Sequence, residues 1–356
     1  MPDIRPVAGL MASAVVVLLA FAASSCAPGV AEPDTSDLRV AVISDLNSSY
    51  GSTEYEPAVH SAIEMIREEW RPDLVLIAGD MIAGQKPSLS DKNVRAMWEA
   101  FEHAVARPLR EAGVPFAFTV GNHDASAYPA HARDRRLAME HWRDPEHATG
   151  IGFIDRANFP LYYSFTAGDV FVLVWDASTE GTAENIEMME WVESALNSEA
   201  AREADYRIVL GHLPLYAVAQ GRNRPGEVLA HADSLRMLLE RHDVDLYVSG
   251  HHHAFYPGKR GDLEMLFSGA LGQGARQLLG SDADPVQTVT LLDVAAGAGL
   301  VEYTTFAYNE GKVASWERLD IRTLPDVVHG LNGSIARCDM PDIYSALTLG
   351  RTEISH

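Results

Sequence analysis

Five stretches of the sequence end an apolar run on side chains able to hold a metal ion. They are Asp45 and Asn47 in "ISDLNSSYG", Asp80 after Gly79, Asn122, His123 and Asp124 after Gly121, His212 after Gly211, and His251, His252 and His253 after Gly250. Carboxylate, amide oxygen and imidazole together make a donor set for divalent and trivalent first-row ions. A single histidine at such a place is ordinarily a hydrogen-bonded turn residue. Five ends of the same kind, four of them with glycine beside the polar residue, form a pattern that turn chemistry alone does not require. The matching chemistry is metal binding, and a bound ion can lower the pKa of a water it holds.

Long intervals separate these residues, so the fold must bring them together. "DLVLIAGD", "PFAFTVGNHD", "VFVLVWDAS", "YRIVLGHLP" and "DLYVSGHHH" read as short buried strands. Between them, "EPAVHSAIEMIREEW", "SDKNVRAMWEAFEHAVARPLREAG" and "IEMMEWVESALNSE" carry apolar residues near helical spacing. Alternating strands and helices predict an α/β domain with parallel pairing. In open sheets of that class, ligands bind beyond the carboxyl ends of the strands, where these polar residues stand.

The chain has 356 residues, 47% hydrophobic and 22% charged, a balance that suits a folded globular chain of one large domain or two ordinary ones. A formal net charge of -22 argues against a nucleic-acid polymer as partner, because phosphate binding needs clustered Lys and Arg. After Arg5, the uncharged run "VAGLMASAVVVLLAFAASSC" reads as a secretory signal over residues 1–26. Its end, Ala23-Ser24-Ser25-Cys26, resembles a bacterial lipobox. The expectation is an exported chain, periplasmic or at the cell surface if bacterial, that touches a membrane only through its N-terminus. Lipid anchoring through Cys26, ordinary cleavage nearby and an uncleaved anchor stay open. The other cysteine is Cys338, so an intrachain disulfide would join it to Cys26, and the lipid reading leaves Cys338 unpaired. Residues 27–37 suit a linker, 38–318 a single catalytic domain, and 319–356 a C-terminal extension that carries no chemical motif and is expected to pack over the domain.

In order and spacing, "SDLN", "AGDM", "GNHD", "GHLP" and "GHHH" resemble the calcineurin-like metallophosphoesterase superfamily, whose pattern is D-x-H, G-D, G-N-H-D/E, a lone H and G-H-x-H. The resemblance extends over about residues 38 to 315. It implies a four-layer α/β sandwich of two mixed β-sheets flanked by helices. It also implies two metal ions of Mn, Fe, Zn or Mg type, one held by Asp45, Asp80 and His253 and the other by Asp80, Asn122, His212 and His251, with Asp80 bridging. A metal-bound hydroxide would attack a phosphomonoester or phosphodiester substrate. His123 would stabilise the transition state and protonate the leaving alkoxide, and Asp124 would orient its ring. His252, between two ligands on an extended strand end, is expected to face away and serve structure.

Asn47 departs from the pattern, standing where the family most often has histidine. Its amide oxygen is a harder ligand than imidazole and suits Mn, Mg or Fe better than tightly held Zn. Tyr50 or Tyr55 could instead supply a phenolate, as tyrosine does in purple acid phosphatases. That family's tyrosine follows the G-D motif, however, and here Ala83 occupies its place. Other features admit two readings each. Arg222, Arg224 and Arg276 could meet a phosphate or simply be solvated, Asp176 fits a loop cap better than a ligand, and "HAFYPG" could stack on a leaving group or pack a loop. A rival class is a surface binding or structural lipoprotein that uses this fold without turnover.

Overall fold

The computed structural model describes residues 38–295, 300–311 and 314–340; the expectations for the signal, Cys26, the linker and the end of the extension lie outside them. Among the described residues, one sheet runs in the order Ser315–Arg318, Leu300–Asn309, Thr288–Ala295, Leu38–Ile43, Leu74–Ile77, Phe116–Phe118. The other runs Val327–Gly330, Gly333–Arg337, Tyr256–Arg260, Leu263–Phe267, Leu246–Ser249, Tyr206–Leu210, Val170–Val174, Tyr162–Ala167, Phe153–Asn158. Both are mixed. Leu38–Ile43 pairs parallel with Leu74–Ile77 and antiparallel with Thr288–Ala295, while Val170–Val174, Tyr206–Leu210 and Leu246–Ser249 are parallel neighbours.

The unbroken apolar runs have a direct cause, since both faces of these strands are covered. Alternation along a strand sends Ala41, Ile43, Val75 and Ile77 to a core shared with helices Pro57–Met65, Asp91–Phe101 and Ala132–Arg143. The intervening Val40, Val42, Leu74 and Leu76 meet Leu210, Val248 and Leu266 of the other sheet. Phe171, Leu173 and Val209 point outward to helices Ile186–Leu196 and Ala232–Arg241. The four-layer sandwich is therefore the observed architecture, with a dry core between the sheets and another on each outer face.

The long amphipathic segment after Ser90 is not one helix. Ser90 caps Asp91–Phe101 by accepting from the Asn93 backbone N–H at 3.2 Å, but the chain then widens to a π-helical turn over Glu102–Ala106 before Arg107–Glu111. Pro108, which lacks an N–H, sits near the start of that last piece, where none is required.

Residues 319–340 do more than drape over the domain. Val327–Gly330 and Gly333–Arg337 form a hairpin whose second strand pairs with Tyr256–Arg260, lengthening the second sheet at its edge. Cys338, one residue beyond, is 1% exposed and is not a free thiol.

Candidate metal centre

Each polar stretch begins where its strand ends: Leu38–Ile43 delivers Ser44 and Asp45, Leu74–Ile77 delivers Asp80, Phe116–Phe118 delivers Asn122, Tyr206–Leu210 delivers His212, and Leu246–Ser249 delivers His251 to His253. Sharp turns aim them inward. Asp45, Asp80, His251 and His253 all adopt positive φ, between 51° and 63°, a region uncommon for residues with a Cβ. Such conformations cluster at functional sites because the surrounding fold must hold them in place. The glycines allow the close approach: a Cβ on Gly121 would stand 2.1 Å from Asp80 Oδ1, and one on Gly79 2.5 Å from His212 Nδ1.

Two groups of donor atoms result, each with its atoms within 4.8 Å of one another: Asp45, Asp80 and His253, and Asp80, His212 and His251. Asp80 belongs to both. Asn122 Oδ1 adds to the second, 3.0 Å from His212 Nε2, while Asn122 Nδ2 donates to Gln85 Oε1 at 2.8 Å. Each histidine is held through its other nitrogen. His212 Nδ1 donates to Ala78 O at 2.8 Å, His253 Nδ1 to Gly274 O at 3.0 Å, and His251 Nε2 to Glu227 Oε2 at 2.9 Å. Bonding one ring nitrogen to a carbonyl or carboxylate is how ligating histidines are oriented and their tautomer set.

The nitrogens left over include His251 Nδ1 and His253 Nε2, both buried without a hydrogen-bond partner. Buried polar atoms without hydrogen-bond partners are rare, His253 Nε2 lies 3.2 Å from Asp45 Oδ1, and each of the two histidines shares a donor group with Asp80, so the donor set fits a pair of cations. Burial alone would raise the Asp45 pKa, but His253 and His212 outweigh it and hold the carboxyl below its ordinary value. Asp80 is likewise held well below the carboxylate range, burial notwithstanding, by His212 and His123. Burial, with His212 adding to it, pushes His251 down to about 4 even though Glu227 opposes the shift.

His123 stands at the rim with its side chain 16% exposed, its backbone N–H donating to Asp80 Oδ1 at 2.9 Å and its ring Nε2 3.9 Å from Asp80 Oδ2. Asp124 does not orient that ring. Its oxygens accept from the backbone N–H groups of Ile82 and Gly121, both at 2.9 Å, so the carboxylate braces the turn, and His123 Nδ1 lies instead 3.4 Å from Gly84 O. His252 faces away as expected: its Nε2 donates to Glu227 O at 2.9 Å and its Nδ1 accepts from Val218 N at 3.2 Å.

Asn47 is 7% exposed, and its side-chain amide has no hydrogen-bond partner among the described residues. Its backbone is tied to the centre through Asp80 O at 3.3 Å and Gln273 N at 3.1 Å. Neither tyrosine acts on the site as a phenolate would: Tyr55 donates its hydroxyl to Met81 O at 2.8 Å, and Tyr50, 55% exposed, lies 5.1 Å from the His123 ring. Asp176 accepts from Ser178 as a loop cap, and Ala254, Phe255 and Tyr256 are packed inside.

Glu227 escaped sequence reasoning. Its Oε2 accepts from His251 Nε2, its carboxylate pairs with Arg222 and with Arg224 through both Nη2 at 2.8 Å and Nε at 3.1 Å, and its backbone oxygen accepts from His252 Nε2. Two of the three arginines are thus already paired with a carboxylate, Arg222 largely covered and Arg224 with its side chain 70% exposed. The third, Arg276, donates its backbone N–H to His253 O at 2.9 Å, and its Nε is buried without a partner. The cue was an acid three residues after Arg224 in "GRNRPGEV", visible only as an unremarkable loop charge.

Residues 38–255 match the family described as calcineurin-like phosphoesterase. The chain is 25% identical over 225 residues to "Probable purple acid phosphatase 20" of Arabidopsis thaliana, covering 63% of this chain and 47% of that protein. It is 22% identical over 275 residues to "Serine/threonine-protein phosphatase CPPED1" of Danio rerio, covering 74% and 80%. The fold resembles the purple acid phosphatase PPD1 of yellow lupin with a TM-score of 0.53 at 16% identity, over 82% of this chain and 56% of that one. The chain spans about half the length of the plant purple acid phosphatases it matches.

Proposed function

We propose that this chain, which belongs to the calcineurin-like phosphoesterase family, is a metal-dependent phosphoester hydrolase working at the Asp80 centre. One observation carries the reading: two donor groups share the buried carboxylate of Asp80, and two of their histidine nitrogens, His251 Nδ1 and His253 Nε2, are buried without a hydrogen-bond partner. Asp45, Asp80 and His253 would hold one ion and Asp80, Asn122, His212 and His251 the other, with the Asn47 amide beside the first. When bound, two such ions neutralise phosphate charge and lower the pKa of water.

The chain's own residues supply the rest. Asp80 keeps both halves of the site in register because its carboxylate is held by the His123 backbone. His123 is the general acid. Its Nδ1 is directed toward Gly84 O, and its Nε2, on the open side, gives its proton to the departing alkoxide oxygen as the P–O bond breaks. Asp124 acts at one remove, by fixing the turn from Gly121 to His123.

The reading includes export, on the uncharged run after Arg5 and on the absence of a free thiol at Cys338, which suits an oxidising compartment. The test is turnover of para-nitrophenyl phosphate and of its bis ester by purified protein, metal-stripped and then supplied with Mn, Fe, Zn or Mg. Metal-stimulated hydrolysis of at least one ester is expected, and none with any ion would overturn the proposal. The relative rates decide between monoesterase and diesterase, and the mass of the mature N-terminus decides the fate of Cys26.

A further inference from the structure

A second concentration of unpaired buried polar atoms lies away from the Asp80 centre. Glu102 Oε1, His141 Nε2, Trp98 Nε1, Trp142 Nε1 and Arg110 Nη1 are all buried without hydrogen-bond partners. They belong to one neighbourhood: Trp98 stacks on His141 with ring centroids 4.8 Å apart, Trp142 meets Trp98 edge-on at 5.7 Å, and Arg110 pairs with Glu102. Glu102 opens the π-helical turn Glu102–Ala106, an irregularity that is found often at functional sites.

Three elements converge there. His141 lies in the last turn of Ala132–Arg143, and the short 3-10 turn Pro145–His147 folds His147 back onto it, rings 3.9 Å apart. His147 Nδ1 donates to His141 O at 2.7 Å, which leaves Nε2 with the free lone pair. Arg110 occupies Glu102 Oε2, so Oε1 is the oxygen left over, 3.4 Å from His141 Nε2. The Glu102 and His141 side chains are 6% and 9% exposed, and ligand atoms from Glu102, His141 and His147 lie within 4.8 Å of one another. A cavity of about 550 Å³, with Glu99 and Asp144 but also Arg95 and Arg107 on its wall, opens beside them.

We propose that Glu102, His141 and His147 form a further metal site, separate from the Asp80 centre, that takes a divalent transition ion of the zinc type. Two imidazoles and a carboxylate suit zinc, whereas Mg and Ca prefer oxygen alone. Three protein ligands leave one position of a tetrahedral ion open toward the cavity. An ion lies in the plane of each ring that binds it, so the two rings, now 22° from parallel, must swing apart on loading. His147, half-buried at the end of a three-residue turn, is the one placed to move.

The site shares no residue with the Asp80 centre, so the two can be tested apart. Metal-stripped full-length chain is titrated with zinc and its bound metal counted by elemental analysis. His147→Ala is expected to bind one equivalent less than the unaltered chain, with phosphoester turnover within about twofold, and to lose the zinc-dependent part of its rise in thermal midpoint. Glu102→Gln, close in shape, should lose the same equivalent. In an Asp80→Asn background, whatever becomes of the catalytic ions, adding His147→Ala should still remove one. Equal stoichiometry with and without His147, in both backgrounds, would overturn the site and leave a buried ion pair with water.

Discussion

At the scale of single residues, the centre is a division of labour between the two nitrogens of each histidine. One nitrogen is spent on a protein oxygen so that the other is aimed, and His251 with Glu227 is the case where the oxygen is itself a carboxylate. Glu227→Gln removes the negative partner and frees Arg222 and Arg224, so metal affinity at the centre should fall about 10- to 100-fold, read by titration of the stripped chain. An affinity unchanged within twofold would mean that His251 is positioned by its backbone alone. His123 works differently, since it is assigned no ion. His123→Ala should lower turnover by about 10² to 10⁴ while bound metal stays the same by elemental analysis. Equal loss of metal and activity would place it among the ligands instead.

At the scale of elements, the parallel strands end at one level and the residues just beyond their ends turn sharply inward. The small residues at these turns are as necessary as the ligands. Gly121→Ala is a demanding substitution although its φ of -90° suits alanine, because the added methyl would lie 2.1 Å from Asp80 Oδ1 and 2.3 Å from Asp80 N. The Asp80 carboxylate, shared by both donor groups, must then move. Metal stoichiometry should drop in this variant even where circular dichroism shows a folded chain, and full loading would mean that the turn relaxes without cost. The π-helical turn at Glu102 illustrates an element that periodicity does not disclose: apolar spacing near 3.6 residues continues across it, and only the placement of backbone hydrogen bonds distinguishes the wider turn.

At the scale of the whole molecule, the site depends on two sheets being held face to face, because Asp45, Asp80 and Asn122 come from one and His212, His251 and His253 from the other. The inter-sheet core is what fixes their separation. Leu76, fully buried between the sheets and one residue before Ile77 at the strand end, is a fair probe. Leu76→Ala should cost about 2 to 5 kcal/mol of stability by denaturant unfolding, through lost burial and the cavity left behind. A cost below about 1 kcal/mol would mean that the sheets close over the gap.

The sequence alone carried the strand ends, their chemistry and their order, since buried strands declare themselves by unbroken apolar runs and ligands by type. Asp45, Asp80, His212, His251 and His253, which the structure brings into two adjoining donor groups, stood out for that reason, and the four-layer fold followed from the resemblance they carry. What only the tertiary structure decided was pairing between residues far apart in the chain. Glu227 reaches His251, Asp124 turns to Ile82 and Gly121 instead of His123, the extension's hairpin joins the second sheet, and Glu102 meets His141 and His147. A side chain's partner is fixed by rotamer and by the approach of distant backbone. Residue type and local spacing contain neither.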